Sequence, residues 1–194
     1  MSDTPLSHSA CAIAIVDTET GGLDPATDPL LQVAVVHADI RPNGGLSITH
    51  EWSSLVGLRP PWRPIGAQHI HGIGRPALLI APSERRVMSR VADLISGRTL
   101  VAHNLDFDRS FLDAAANRNG ISITPDGEVC TLALSRSTDP ERHLSHRLGD
   151  IAERHGVELR GAHHALNDAR ATAEVLGRLI ATDPSLWPFG HRMS

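Results

Sequence analysis

CAIAIVDTETGGLDPATDPLLQVAVVHADI, residues 11–40, decides the fold. Cys11–Asp17 is a continuous apolar run that ends in an acid, the pattern of a central strand buried on both faces. Thr18–Pro29 is turn-rich, with Gly21, Gly22, Pro25 and Pro29. Leu30–Ile40 (LLQVAVVHADI) then reads as a second strand. RPNGG at 41–45 is a turn signal, and Leu46–Val56 (LSITHEWSSLV) reads as a third strand. Three strands on short links predict an antiparallel meander.

Beyond the meander the period changes. RPPWRPIGAQHIHGIGRPAL at 59–78 is rich in Pro and Gly and predicts irregular chain with at most short helical turns. Pro82–Ser96 has helical spacing at Val87, Val91, Leu94 and Ile95, with Ser83 as N-cap. Arg98–His103 reads as a fourth strand and Leu105–Asn119 as a helix closed by Gly120. Glu128–Cys130 is a short fifth strand. Helices are expected at Thr131–Ser137, Leu148–His155 and Ala165–Ala181, the last stopped by Pro184. A meander followed by αβ crossovers predicts an α/β protein with a mixed five-stranded sheet and helices on both faces. The organisation expected is a flexible N-terminus at 1–10, one domain over 11–182 and a C-terminal tail at 183–194.

The 194 residues are 41% hydrophobic and 21% charged, with a net charge of −4. A chain of this size buries about 70% of its unfolded surface and needs no staples. Cys11 and Cys130 are too few for a disulfide framework and form no zinc pattern. No signal peptide or apolar span is legible, so a cytoplasmic location is expected. The net charge argues against coating nucleic acid by bulk attraction, but not against gripping a few phosphates. Residues 1–60 hold seven acids against two arginines, whereas 61–194 hold fifteen acids against sixteen arginines. Lysine and tyrosine are absent altogether, which excludes Schiff-base chemistry and the usual P-loop NTPases.

Three short stretches carry chemistry. In Val16–Leu23 (VDTETGGL), Asp17 and Glu19 stand at i and i+2 and so share a face of the strand. Side by side, two carboxylates repel unless a proton or a cation intervenes, and a hard divalent ion is one solution. A solvated loop in which Thr18 and Thr20 act as caps is the other. In His103–Leu112 (HNLDFDRSFL), Phe107, Phe111 and Leu112 face the core. Asp108 lies early in the helix, where an acid also suits the helix dipole, and Asp106 is a candidate N-cap. His163–Asp168 (HHALND) opens the last helix. Asp168 again fits the dipole, and a histidine five residues upstream could reach the same place or be merely structural.

Taken together, these stretches resemble the three motifs of the DEDDh family of 3′→5′ exonucleases. That family includes the proofreading subunit of bacterial replicative polymerase, ribonuclease T and oligoribonuclease. Asp17 and Glu19 match the first motif, DxE. His103, Asn104, Phe107, Asp108, Phe111 and Leu112 match the second, and His163, Ala165 and Asp168 the third. Weaker matches are IHGI (70–73), TLALSR (131–136) and RLGDIAERHGVEL (147–159), so the resemblance covers about residues 11–181. The related tyrosine subfamily keeps Tyr four residues before the last Asp. Here His164 stands there, and the family spacing selects His163.

The resemblance implies a ribonuclease-H-like fold and two Mg²⁺ or Mn²⁺ ions. It implies Asp17, Glu19, Asp108 and Asp168 as catalytic metal ligands, with His163 as the base that deprotonates the attacking water. The product would be a 5′-mononucleotide. Substrate contacts are implied at Thr18, Thr20, Leu23, His71, His103, Asn104 and Phe107. Of these, Leu23 would wedge the last bases and Phe107 would stack on one, whereas His103 and Asn104 equally suit organising the strand end. The expected partner is the 3′ end of single-stranded DNA or RNA. The motifs do not separate DNA exonuclease, exoribonuclease for RNA or short oligonucleotides, and polymerase proofreading subunit. A non-catalytic binding module would be expected to have lost a ligand, and none is missing. A polymerase partner or a homodimer leaves no readable mark.

Overall fold

A computed structural model describes residues 11–40 and 45–189. The RPNGG turn falls mainly outside the described residues, as do the N-terminal segment expected to be flexible and the last five residues of the expected tail. The meander is β1 (Cys11–Thr20), β2 (Leu30–Ile40) and β3 (Leu46–Leu55). Strands β4 (Thr99–Ala102) and β5 (Gly127–Cys130) complete one five-stranded sheet in the order β3-β2-β1-β4-β5. β1 is antiparallel to β2 and parallel to β4, and β4 is parallel to β5. The mixed sheet with helices on both faces is therefore the one expected.

Strand alternation divides the core. Ala14 and Val16 of β1, with Val33 and Val35 of β2, pack against α3 (Glu84–Ile95) and α4 (Leu105–Arg118). Ile13 and Ile15, with Ala34 and Val36, pack against α7 (Ala165–Thr182). Helices α5 (Thr131–Ser137) and α6 (Leu148–Arg154) lie beside α7. Ser83 caps α3 as read, its hydroxyl accepting the Arg86 N–H.

The Pro/Gly-rich stretch makes short helical turns, as expected, and the C-terminal segment holds more structure than its sequence promised. The short turns are α1 (Gln68–His71) and α2 (Arg75–Ile80), both too short to show a period. The expected tail is packed as far as described: Pro184–Leu186 make a 3₁₀ turn, and Trp187 is buried on the α7 side of the sheet, edge-on to Phe189. Burying an indole of that size outweighs the terminus's freedom. No helix among the described residues is long and apolar enough to cross a membrane.

Candidate active site

β1 outruns β4. It pairs with β4 only over Ile13–Ile15, yet stays paired with β2 as far as Thr20. Asp17–Thr20 therefore project past the carboxyl end of β4, where the chain turns into α4. Clefts at such ends are where open α/β sheets bind ligands.

Alternation then sorts the side chains. Asp17 and Glu19 continue the Ile13–Ile15 row toward α7, whose first turn carries Asp168. Single ligand atoms of Asp17, Glu19 and Asp168 all lie within 4.8 Å of one another. Thr18 continues the Ala14–Val16 row toward α4, and its hydroxyl donates to Asp108 Oδ1 at 2.8 Å. Asp108 thus flanks the trio from the other side, held by Thr18. Three of the four expected acids meet directly, and the fourth interacts with them through its charge.

Crowding and burial favour the protonated form of a carboxyl, and all four are pushed upward. Burial, then Asp108, Asp168 and Glu19, push the Asp17 carboxyl well above its usual range. Burial, then Asp168 and Asp108, raise Glu19 to about 7. Burial raises Asp108 to about 7 against the opposing Thr18 hydrogen bonds. Burial raises Asp168 too, although the His163 N–H lowers it. Asp168 Oδ2 accepts that N–H at 2.9 Å, while its buried Oδ1 has no partner. Such a cluster fits a divalent cation, which would take up the orphaned oxygen and replace the protons.

His163 adopts a left-handed backbone, φ 64°, and both His163 and His164 are exposed. Among the described residues neither imidazole is hydrogen-bonded. His163 is tied to the site by its backbone N–H, which donates to Asp168. His164 is the N-cap of α7.

The expected substrate contacts divide. Leu23 is 83% exposed, as a wedge requires. Asn104, also exposed, is the N-cap residue of α4. Phe107 is half-buried, tilted against Phe111 with centroids 5.1 Å apart. Thr18 instead turns inward to Asp108, because its place on the strand faces α4. The Thr20 hydroxyl donates to Gly22 O at 2.7 Å and shapes the loop. His71 is buried: Nε2 bonds Gly66 O at 2.8 Å and Nδ1 accepts the Ile73 N–H at 2.9 Å. With both nitrogens committed, it braces its loop. His103 likewise bridges Thr131 Oγ1 and His146 O, organising the strand end. Beside it, a cavity of about 520 Å³ is lined by Asn104, Arg136, Arg142 and Arg147 among others.

Gln32 went unread in the sequence. It stands opposite Glu19 in the ladder, and its buried Oε1 accepts the Ala165 N–H at 3.3 Å. It ties the start of α7, and so Asp168, to the strand bearing the other acids. A lone amide in the apolar run LLQVAVV was the available signal.

Comparison with known proteins bears on the family and the fold. The family model described as an exonuclease (RNase_T) matches residues 14–176. PolC-type DNA polymerase III of Staphylococcus aureus is 29% identical over 177 residues, covering 91% of this chain and 12% of that protein. The zinc-bound E. coli exonuclease I–ssDNA complex superposes with a TM-score of 0.79 at 19% identity, covering 92% of this chain and 42% of the other. A product-bound exonuclease I gives 0.78 at 20% identity, covering 93% and 46%. The chain thus spans about an eighth of the polymerases and under half of exonuclease I. At these identities the structural likeness shows a shared ribonuclease-H-like fold.

Proposed function

The chain belongs to the exonuclease family, and on that premise we propose that it removes 5′-mononucleotides, one at a time, from the 3′ end of single-stranded nucleic acid. The observation that carries this reading is the convergence of Asp17, Glu19 and Asp168 within 4.8 Å, with one buried oxygen of Asp168 unpartnered. Two Mg²⁺ or Mn²⁺ ions suit an all-carboxylate site. Asp17, Glu19 and Asp168 would hold them, with Asp108 at the flank. Bound there, the ions would acidify the attacking water and offset charge on the departing 3′ oxygen.

The chain's own residues do the rest. His163 accepts the proton of the attacking water; its exposed ring sits on a loop already fastened to Asp168. The Thr18 hydroxyl orients Asp108, and Gln32 fixes the turn that presents Asp168. Leu23, beyond the Gly21–Gly22 turn, presses on the terminal base so that the last phosphodiester lies over the acids. Phe107 and Asn104, at the start of α4 with Asp108, would contact the same substrate strand.

Two relatives with DNA in their names, a DNA polymerase and an enzyme bound to ssDNA, favour DNA as the strand. Oligonucleotides of DNA and RNA, single-stranded, blunt duplex and circular, test the reading. Linear single strands should be shortened stepwise to mononucleotides, faster than blunt duplex and faster for DNA. Fragments cut from a circular single strand would contradict it.

A further inference from the structure

Trp62 is 78% exposed, an unusual position for the largest apolar side chain, and nothing in the chemistry above uses it. It sits in Arg59–Ala67, the segment joining the meander to α1. That segment is clasped to the loop that follows Glu19. Arg63 donates to Thr27 O at 2.6 Å. Gly66 lies so close to Gly21 that a Cβ on it would stand 2.0 Å from Gly21 O. His71 holds Gly66 from behind. Two exposed apolar side chains, Trp62 and Leu23, are therefore carried on loops fixed to each other at the mouth of the acidic site.

Charge says what they meet. From Trp52 to Ser83 there is no acidic residue, while Arg59, Arg63 and Arg75 fall within that stretch. All three guanidiniums donate to backbone carbonyls, of Leu58, Thr27 and Pro61. Among the described residues none of them is ion-paired with a carboxylate, and Glu84, which lines the same pocket as Arg59 and Arg63, is itself paired with Arg118, so part of their charge is left for an external anion. An exposed indole beside unneutralised arginines is the combination that binds unpaired nucleotides, by base stacking and phosphate attraction.

We propose that Trp62 is a stacking platform for an unpaired base of the substrate strand, upstream of the terminal nucleotide, with Arg59 and Arg63 facing its phosphates. This rests on the exonuclease reading and adds to it a binding residue outside the family motifs. Stacking holds the strand without touching the reacting atoms, so it governs affinity and not the chemical step.

The test uses the full chain with a fluorescein-labelled single-stranded dT10. Binding is followed by anisotropy in EDTA, and the intrinsic tryptophan fluorescence, to which Trp52, Trp62 and Trp187 contribute, is read in a parallel titration with unlabelled dT10. Hydrolysis is then measured in Mg²⁺. Trp62→Ala should weaken binding about 5- to 100-fold and raise KM by a similar factor, with kcat within about threefold. Trp62→Phe should recover most of the affinity. Ile80→Ser, at another exposed apolar residue on α2, should leave both unchanged. Wild-type fluorescence should be quenched by dT10, and that of Trp62→Ala should not. Unchanged affinity and KM in Trp62→Ala would overturn the proposal and leave this surface to a polypeptide partner. Hydrolysis by neither wild type nor variant, with dT10 still quenching Trp62, would overturn the exonuclease reading and keep the platform.

Discussion

At the scale of single residues, the site is a set of acids held under strain of charge. Glu19 and Asp108 are raised to about 7, and Asp17 and Asp168 are raised as well. Without metal, the folded state therefore binds more protons than the unfolded chain between about pH 4 and pH 7. Stability is therefore full at the acid end and is lost as pH rises through that window. Thermal melts of the EDTA-treated protein should show Tm falling from pH 5 to pH 8, with Mn²⁺ restoring more at pH 8 than at pH 5. A metal-free Tm that climbs across that range would contradict the burial described here. The two adjacent histidines give a second prediction. His163 carries the N–H bond to Asp168, whereas His164 is a cap residue. His163→Ala should cost on the order of 10²–10⁴-fold in single-turnover rate while still binding Mn²⁺, and His164→Ala should keep most of its activity. If His164→Ala is the inactive one, the base is misassigned.

At the scale of elements, the site exists because β1 runs on after β4 has stopped, and because α4 and α7 both begin there. Gln32 fixes one of those beginnings. Gln32→Ala should lower stability by about 1 kcal/mol in a denaturant melt, through the loss of a buried hydrogen bond. It should also weaken Mn²⁺ binding, because Asp168 rides on the released turn; unchanged metal affinity would sink that positioning role. Much of this was legible beforehand. Apolar runs marked β1, β2 and β4, a turn signal introduced β3, and period-3.6 spacing or Gly stops marked α3, α4 and α7. The pairing of Asp17 with Glu19 followed from alternation alone. What stayed hidden depends on long-range contact. That Thr18 would spend its hydroxyl on Asp108, and His71 both nitrogens on its own loop, needs partners up to 90 residues away or a local fold too short to show a period. Trp187 reads as tail until the apolar face it covers is assembled.

At the scale of the whole molecule, the acidic first third supplies Asp17 and Glu19, two of the four clustered acids, and acid-free, arginine-bearing chain from Trp52 to Ser83 packs beside it. The polarity is consistent with a phosphodiester drawn past cations toward carboxylates that need metal to tolerate it. Leu23 is exposed at the junction, and Leu23→Ala should raise KM for single strands several-fold with little change in metal affinity, as steady-state kinetics and Mn²⁺ titration would show. The central claim is that four acids act as one metal-dependent centre cutting at the 3′ end. Its most direct test follows a 5′-labelled single-stranded oligonucleotide, under single turnover, with wild type and Asp17→Asn, in EDTA and after adding Mg²⁺ or Mn²⁺. The account predicts no cleavage in EDTA, a ladder shortening one nucleotide at a time from the 3′ end once metal is added, and no ladder from Asp17→Asn in either condition. Full activity after complete metal removal, or an undiminished ladder from Asp17→Asn, would contradict it.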